Sequence, residues 1–174
     1  MQKITPFLWF EKDTEEAMNF YVDLFNSNPL RQNSEQAAKS ESRIVTIKRY
    51  PDGITDGPMA GMGGKVLTGV FHLEGQTFMA LDGGPLFKPN ESVSFLVDCK
   101  TQEEIDHFWN AITKEGMESE CGWCKDKWGF SWQIAPDMGK WLGENSEAGN
   151  RATQAMLGMK KIIISDLEKA YKGE

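Results

Sequence analysis

Three segments carry residue types that could do chemistry. Cys121 and Cys124 stand in CGWC, the C-x-x-C spacing of redox pairs and zinc knuckles. A structural zinc site needs four ligands, and only Cys99, His72 and His107 are left to complete one. A redox pair sits at a helix N-terminus that lowers the thiol pKa, whereas CGWC falls in a strand-like stretch, so packed structural thiols are expected. GMGGK, Gly61 to Lys65, invites a phosphate-binding reading, because glycines let backbone N–H groups approach an anion. The Walker spacing fails: Met59 stands where the first glycine belongs and Val66 where Ser or Thr would hold Mg²⁺. A loop is expected there. His72, in GVFHLEG, shares a strand face with Val70 and Glu74. It could act as a pocket base, but a hydrogen-bonded strand histidine is the plainer expectation. Trp123, Trp128 and Trp132 could line an aromatic pocket, set against the usual place of tryptophan in cores and interfaces. No G-x-S-x-G, H-E-x-x-H or EF-hand pattern occurs.

The elements that must position these residues are written twice. In ITPFLWFEKDTEEAMNFYVDLFN and SVSFLVDCKTQEEIDHFWNAIT, Glu15, Glu16, Phe20, Tyr21 and Leu24 recur as Glu103, Glu104, Phe108, Trp109 and Ile112. A strand-to-helix unit used twice points to two related modules. Ile4 to Phe10 reads as a strand buried on both faces, because it is almost continuously apolar. Asp13 or Thr14 caps a helix whose core face is Ala17, Phe20, Tyr21, Leu24 and Phe25. Residues 26–42 read as a loop, Arg43 to Tyr50 as a strand, and Val66 to Glu74 with Gln76 to Leu81 as a hairpin. After a linker, Ser92 to Asp98 is a strand and Thr101 or Gln102 opens a helix that buries Ile105, Phe108, Trp109 and Ile112 and stops at Gly116. The ladder that follows has room for two good strands and a short third.

The expected organisation is α+β. A first βαβββ module spans residues 1–84, a second, abbreviated one spans 91–136, and a tail with short helices spans 137–174. In the tail, Arg151 to Met159 has helical spacing, Lys160 to Ile164 is a short β-branched run, and Ser165 reads as the N-cap of a last helix. The tail has no counterpart in the first module. It presents Trp141, Leu142, Met156, Leu157, Met159 and Ile162 to Ile164, so it is expected on the outside or across a partner, which makes a homodimer the expected assembly.

Composition excludes several classes of partner. With 174 residues, 40% hydrophobic and 26% charged, the chain reads as an ordinary soluble globular protein. A net charge of -7 and a pI near 5.0 argue against nucleic acid and against an anionic membrane surface. No apolar run approaches the ~20 residues of a membrane span, and MQKITPFLWFEKD lacks a signal-peptide core. Three cysteines cannot all pair within one chain. Reduced thiols and a cytoplasmic location are expected.

FLWFEKDTEEAMNFYVDLF, FHLEGQTFMALDGGP, SVSFLVD with EEIDHFW, and CGWCKDKWGFSWQIAP, in that order, resemble the PhnB-like branch of the vicinal oxygen chelate superfamily. That superfamily includes glyoxalase I, bleomycin-resistance proteins and extradiol dioxygenases. The GWxKDxxGxSWQ segment is the most specific part. The resemblance implies a glyoxalase/bleomycin-resistance-like fold in which each module curls into a half-barrel around a pocket. Its metal-dependent members draw ligands from the first and last strands of the modules. Carried over by counting from Asp13, from Asp98 and from the glycine before each last strand, those places are Pro6, Glu91, Met79 and Gln133. Pro6 and Met79 offer no hard ligand, so no metal and no other cofactor are expected. What is expected is a pocket for a small organic ligand near Gln133, with Met79, Trp132 and Trp123 as further lining. The alternative is an isomerase or lyase of the glyoxalase type, metal-dependent or metal-independent, with Glu91 as base. The branch has also carried a demethylubiquinone methyltransferase label, yet nothing in this chain resembles an S-adenosylmethionine site.

Overall fold

The computed structural model describes residues 2–33, 41–57, 59–142 and 146–174. The chain divides into two compact units, Met1–Lys88 and Pro89–Glu174, each built on one four-stranded sheet. Within the first unit β1 (Phe7–Phe10) leads into α1 (Thr14–Asn26), and β2 (Arg43–Arg49), β3 (Val66–Leu73) and β4 (Gln76–Asp82) complete a sheet of order β1-β4-β3-β2. β1 runs parallel to β4, with Phe7 opposite Met79, and the other pairs are antiparallel. The second unit repeats the arrangement with β5 (Ser94–Asp98), α2 (Gln102–Thr113), β6 (Met117–Glu118), β7 (Trp123–Lys125) and β8 (Ser131–Ala135), in the order β5-β8-β7-β6. β5 is parallel to β8. The doubled βαβββ pattern and its abbreviated second copy are therefore present. Of the loop expected over 26–42, residues 34–40 lie outside the described residues, and Pro29–Asn33 forms a 3-10 turn. Among its described residues the Gly-rich segment 51–65 holds no regular element.

In each unit one sheet face packs on the helix. Tyr21, Phe71 and Phe78 stack at centroid distances of 6.3 and 5.4 Å in the first, while Ile105, Phe108, Trp109, Trp132 and Ile134 fill the second. The reading of β1 as buried on both faces is corrected: Leu8 and Phe10 face the helix, whereas Phe7 is 47% exposed. A run of apolar residues on a strand can mark an open sheet face as well as a buried one. On α1, Met18 joins the core and Phe20 is only half-buried.

The two helices are started by different devices. Asp13 occupies the N-cap of α1 but makes no side-chain cap bond. Asp82, buried at the end of β4, accepts from Thr14 N at 3.0 Å with one oxygen and from Val66 N at 2.8 Å with the other. One carboxylate thus satisfies the starts of a helix and a strand. In the second unit Thr101 caps α2 by accepting from Glu104 N, and the Glu104 carboxylate reaches back to Lys100 N at 2.7 Å, close to a reciprocal capping box. Gly116 follows that helix where an added Cβ would sit 2.0 Å from the Lys125 carbonyl oxygen, so only glycine fits.

Asp126 organises the β7–β8 hairpin. Buried in the connecting turn, it accepts from Trp128 N at 3.0 Å and Phe130 N at 3.1 Å with one oxygen, and from Trp132 Nε1 at 2.9 Å with the other.

The tail packs on its own unit. α3 (Gly139–Leu142), α4 (Glu147–Leu157) and α5 (Ile164–Lys172) follow β8. Cys121 N and Gly122 N each donate to the tail, to the Met159 and Lys160 carbonyls, at 2.7 Å. The Gln102 side-chain amide clamps the next stretch, donating to Ile162 O at 3.1 Å and accepting from Ile164 N at 2.9 Å. Trp141, Ala152, Ile162 and Leu167 are buried. The apolar tail that suggested a partner is thus largely covered by its own chain, and Leu157, at 60%, is the large apolar tail residue left exposed among those described. Ser165 is not the cap of α5, which begins one residue earlier behind Ile163.

All three cysteines are free, Cys99 and Cys124 being buried and Cys121 half-buried. Burial, reinforced by the Asp126 and Glu118 carboxylates, pushes the Cys124 thiol up to about 12. Burial likewise raises the Cys99 thiol, with Glu104 and Asp98 adding to it. A raised pKa keeps these thiols protonated and poorly reactive at neutral pH. Labelling of the native protein with a disulfide reagent at pH 8 is expected to modify Cys121 first and the other two only on unfolding; fast labelling of Cys99 or Cys124 would refute their sequestration. Asp126→Ala leaves three donors unmatched, so a loss of about 3 kcal/mol in urea unfolding is expected, with Asp126→Asn milder. A loss below about 1 kcal/mol would contradict the role assigned to Asp126.

Candidate functional site

The open face of the second sheet carries the site. β8 alternates, with Trp132 and Ile134 toward α2 and Ser131, Gln133 and Ala135 on the opposite face. Cross-strand register places Leu96 of β5 and Trp123 of β7 on either side of Gln133. Above them lies a cavity of about 480 Å³ whose walls all belong to the second unit. Leu96, Trp123, Gln133 and Ala135 form its floor, while Met138, Met156 and Ile162 from the tail close it. The size is that of a small-molecule pocket.

The polar groups of this cavity are few and segregated. Gln133 Nε2 donates to Ser94 Oγ at 2.8 Å, which fixes the amide and leaves its oxygen as an acceptor. Asp98 and Asp137 stand on the lining as well. Asp98 is ion-paired with Lys100, whose ammonium pKa that hydrogen bond raises. Asp137 accepts from Gly139 N at 3.0 Å.

Of the residues singled out in the sequence, Gln133 and Trp123 come together in the cavity. Trp132 lies on the opposite face, 2% exposed. Trp128 is also not on the lining, and Lys127 Nζ sits 4.7 Å from its ring centroid. Met79 is half-buried on the open face of the first sheet, its N–H donating to Pro6 O at 2.9 Å. Glu91 precedes β5, does not line the large cavity, and is ion-paired with Lys125. The hydrogen bond from Lys125 holds its carboxyl below the usual range. The count that led to Glu91 began at Asp98, whereas the residue equivalent to the N-cap Asp13 is the N-cap Thr101. Started there, the same count ends on Ser94, the residue bonded to Gln133. The repeated helix signature, offset by 88 residues between Glu15 and Glu103, held that information. The tail walls had no such signal.

These positions do not fit a divalent metal centre: Ser94 with Gln133, and Pro6 with Met79, supply at most two neutral oxygens in either unit. Among the described residues no cluster of three or more His, Cys, Asp or Glu is arranged to hold an ion. His72 sits half-buried on β3, opposite Thr77 and Arg43, in the first unit.

The sequence model of the family described as 3-demethylubiquinone-9 3-methyltransferase matches residues 2–135. Among solved structures, the PhnB protein of Bacillus cereus is 36% identical, with 78% of this chain and 99% of that chain covered and a TM-score of 0.60. A Pseudomonas aeruginosa protein shares the fold at 16% identity, covering 76% of this chain and 95% of its own, with a TM-score of 0.56. No curated protein matches the chain. On the span of the family match and the identity with the Bacillus cereus protein, this chain belongs to the PhnB-like family, whose model bears the 3-demethylubiquinone-9 3-methyltransferase description.

Proposed function

We propose that this protein binds a small organic ligand in the cavity over Gln133, without a catalytic metal. The carrying observation is the combination of an apolar, tryptophan-floored cavity with one oriented amide. Apolar walls supply affinity, and a fixed Gln133 carbonyl selects a ligand that donates a hydrogen bond. The isomerase or lyase alternative, with Glu91 as base, draws less support: its carboxyl is held low by Lys125, and a lower pKa makes a weaker base. The methyltransferase description draws none from this chain, where no glycine-rich turn among the described residues follows a strand and opens a helix. Free thiols at Cys99, Cys121 and Cys124 support a reducing compartment such as the cytoplasm, and no helix among the described residues is long and apolar enough to cross a membrane.

Native mass spectrometry of the purified chain is expected to show a copurifying organic molecule that is reduced in Trp123→Ala, and Gln133→Leu is expected to weaken rebinding by about tenfold, the worth of one buried hydrogen bond. Elemental analysis of the same sample is expected to find no stoichiometric zinc, nickel or iron. A tightly held metal equivalent lost on Gln133→Ala would overturn the metal-free reading.

A homodimer is proposed on narrower grounds than the tail. Ile4, Phe7, Val45, Leu86 and Phe87 of the first unit and Val93, Met117 and Leu157 of the second are exposed, and apolar surface of this kind favours association. Sedimentation velocity at micromolar concentration is expected to show a dimer, and a monomer independent of concentration would end this proposal.

A further inference from the structure

A second cavity, of about 60 Å³, opens on the same face of the second sheet, with Glu91, Ser119, Trp123, Lys125 and Ser131 on its lining. Two features set it apart from an ordinary surface crevice. Ser131 is 2% exposed, and its hydroxyl has no hydrogen-bond partner. A buried hydroxyl left unmatched is unfavourable unless something else occupies the space before it. Lys125 is the direct cross-strand neighbour of Ser131, which places both side chains on one face. The Lys125 side chain is 27% exposed while that of its ion-pair partner Glu91 is 63% exposed, so the cation is built into the sheet and the carboxylate arrives from the segment before it.

We propose that Lys125 and Ser131 form a carboxylate-binding subsite that Glu91 fills in the absence of ligand, and that the ligand of this protein is a small organic acid. Its carboxylate takes the place of Glu91 on Lys125 Nζ and accepts a hydrogen bond from Ser131 Oγ. Its apolar body lies against Trp123, the wall shared with the larger cavity. The subsite rests on the reading of that cavity as a ligand pocket and names its ligand class. Charge sets the orientation. Asp98 and Asp137 line the large cavity, and Asp98 lies four residues along β5 from Ser94, the partner of Ser131, or about 13 Å at strand spacing. Asp98 is offset by its ion pair with Lys100, so it is Asp137 that disfavours an acid group there, while Lys125 attracts one. A carboxylate fits better than a phosphate, since a carboxylate already occupies Lys125 and one cation offsets only one negative charge.

The test is an NMR titration of the ¹⁵N-labelled full chain with benzoate and with benzamide, its neutral near-isostere. In the wild type, benzoate is expected to shift the Lys125, Ser131 and Trp123 signals and to bind about tenfold more tightly than benzamide, the range of one charge-assisted hydrogen bond. Ser131→Ala and Lys125→Met should each weaken benzoate and leave benzamide unchanged. Glu91→Gln, at an exposed position, should tighten benzoate by about threefold or more, because an internal competitor is gone. Equal affinities for the two probes, or no tightening in Glu91→Gln, would overturn the subsite and leave Ser131 as the partner of an ordered water. In that event equal shifts at Gln133 and Trp123 by both probes would still support the larger cavity, whereas no shifts from either probe would remove both.

Discussion

The second unit's site depends on one buried carboxylate. Asp126 gathers two backbone N–H groups of its own turn and the indole N–H of Trp132, and no water-exposed group could hold all three as tightly, because a charge-assisted bond gains strength as the surroundings become apolar. Fixing Trp132 on the helix side fixes the phase of β8. Ser131 and Gln133 are thereby forced to the open face, and the antiparallel register carries Lys125 and Trp123 with them. A slip of one residue would exchange Gln133 for Trp132 in the cavity floor. The GWxKDxxGxSWQ segment is therefore a device for setting strand phase.

The two units reach one topology by different local chemistry. The first starts its helix with a carboxylate brought from 68 residues away, so α1, β3 and β4 are tied together at Asp82. The second caps its helix locally with Thr101 and Glu104, so its cap is independent of the sheet.

What could be read in advance follows the range of the interactions. Helix faces and strand alternation are local, and Ile105, Phe108, Trp109 and Ile112 face the core as their spacing requires. Gln133 was legible because a specific motif ends on it. Asp82 was not, since its partners are distant in sequence and nothing in QTFMALD marks its last residue as a cap. The place of Ser94 was legible, because the helix signature offset by 88 residues makes Thr101 the equivalent of Asp13. A count from Asp98, the last residue of β5, passes over Cys99 and Lys100, which intervene before the cap Thr101. The tail was least legible of all, because it lacks the repeat that locates everything else.

The abbreviation of the second unit explains why the tail belongs there. β6 and β7 have two and three residues, against seven and eight in β2 and β3, so the N–H groups of Cys121 and Gly122 find no strand on their outer side. The tail carbonyls of Met159 and Lys160 supply the missing acceptors, and Ile134 N closes on Gly122 O at 2.8 Å from the other side. Gly122, at φ 81°, is the joint: an added Cβ would stand 2.9 Å from the Ile134 carbonyl oxygen and 3.0 Å from Ile162 Cγ1. Ile162 enters the cavity wall through this contact, and Gln102 holds the segment down by imitating a peptide group with its amide. A full-length ladder would satisfy its own backbone and leave the tail without an attachment. The shortened one requires the tail, and the tail in turn converts an open sheet face into a walled cavity within a single unit.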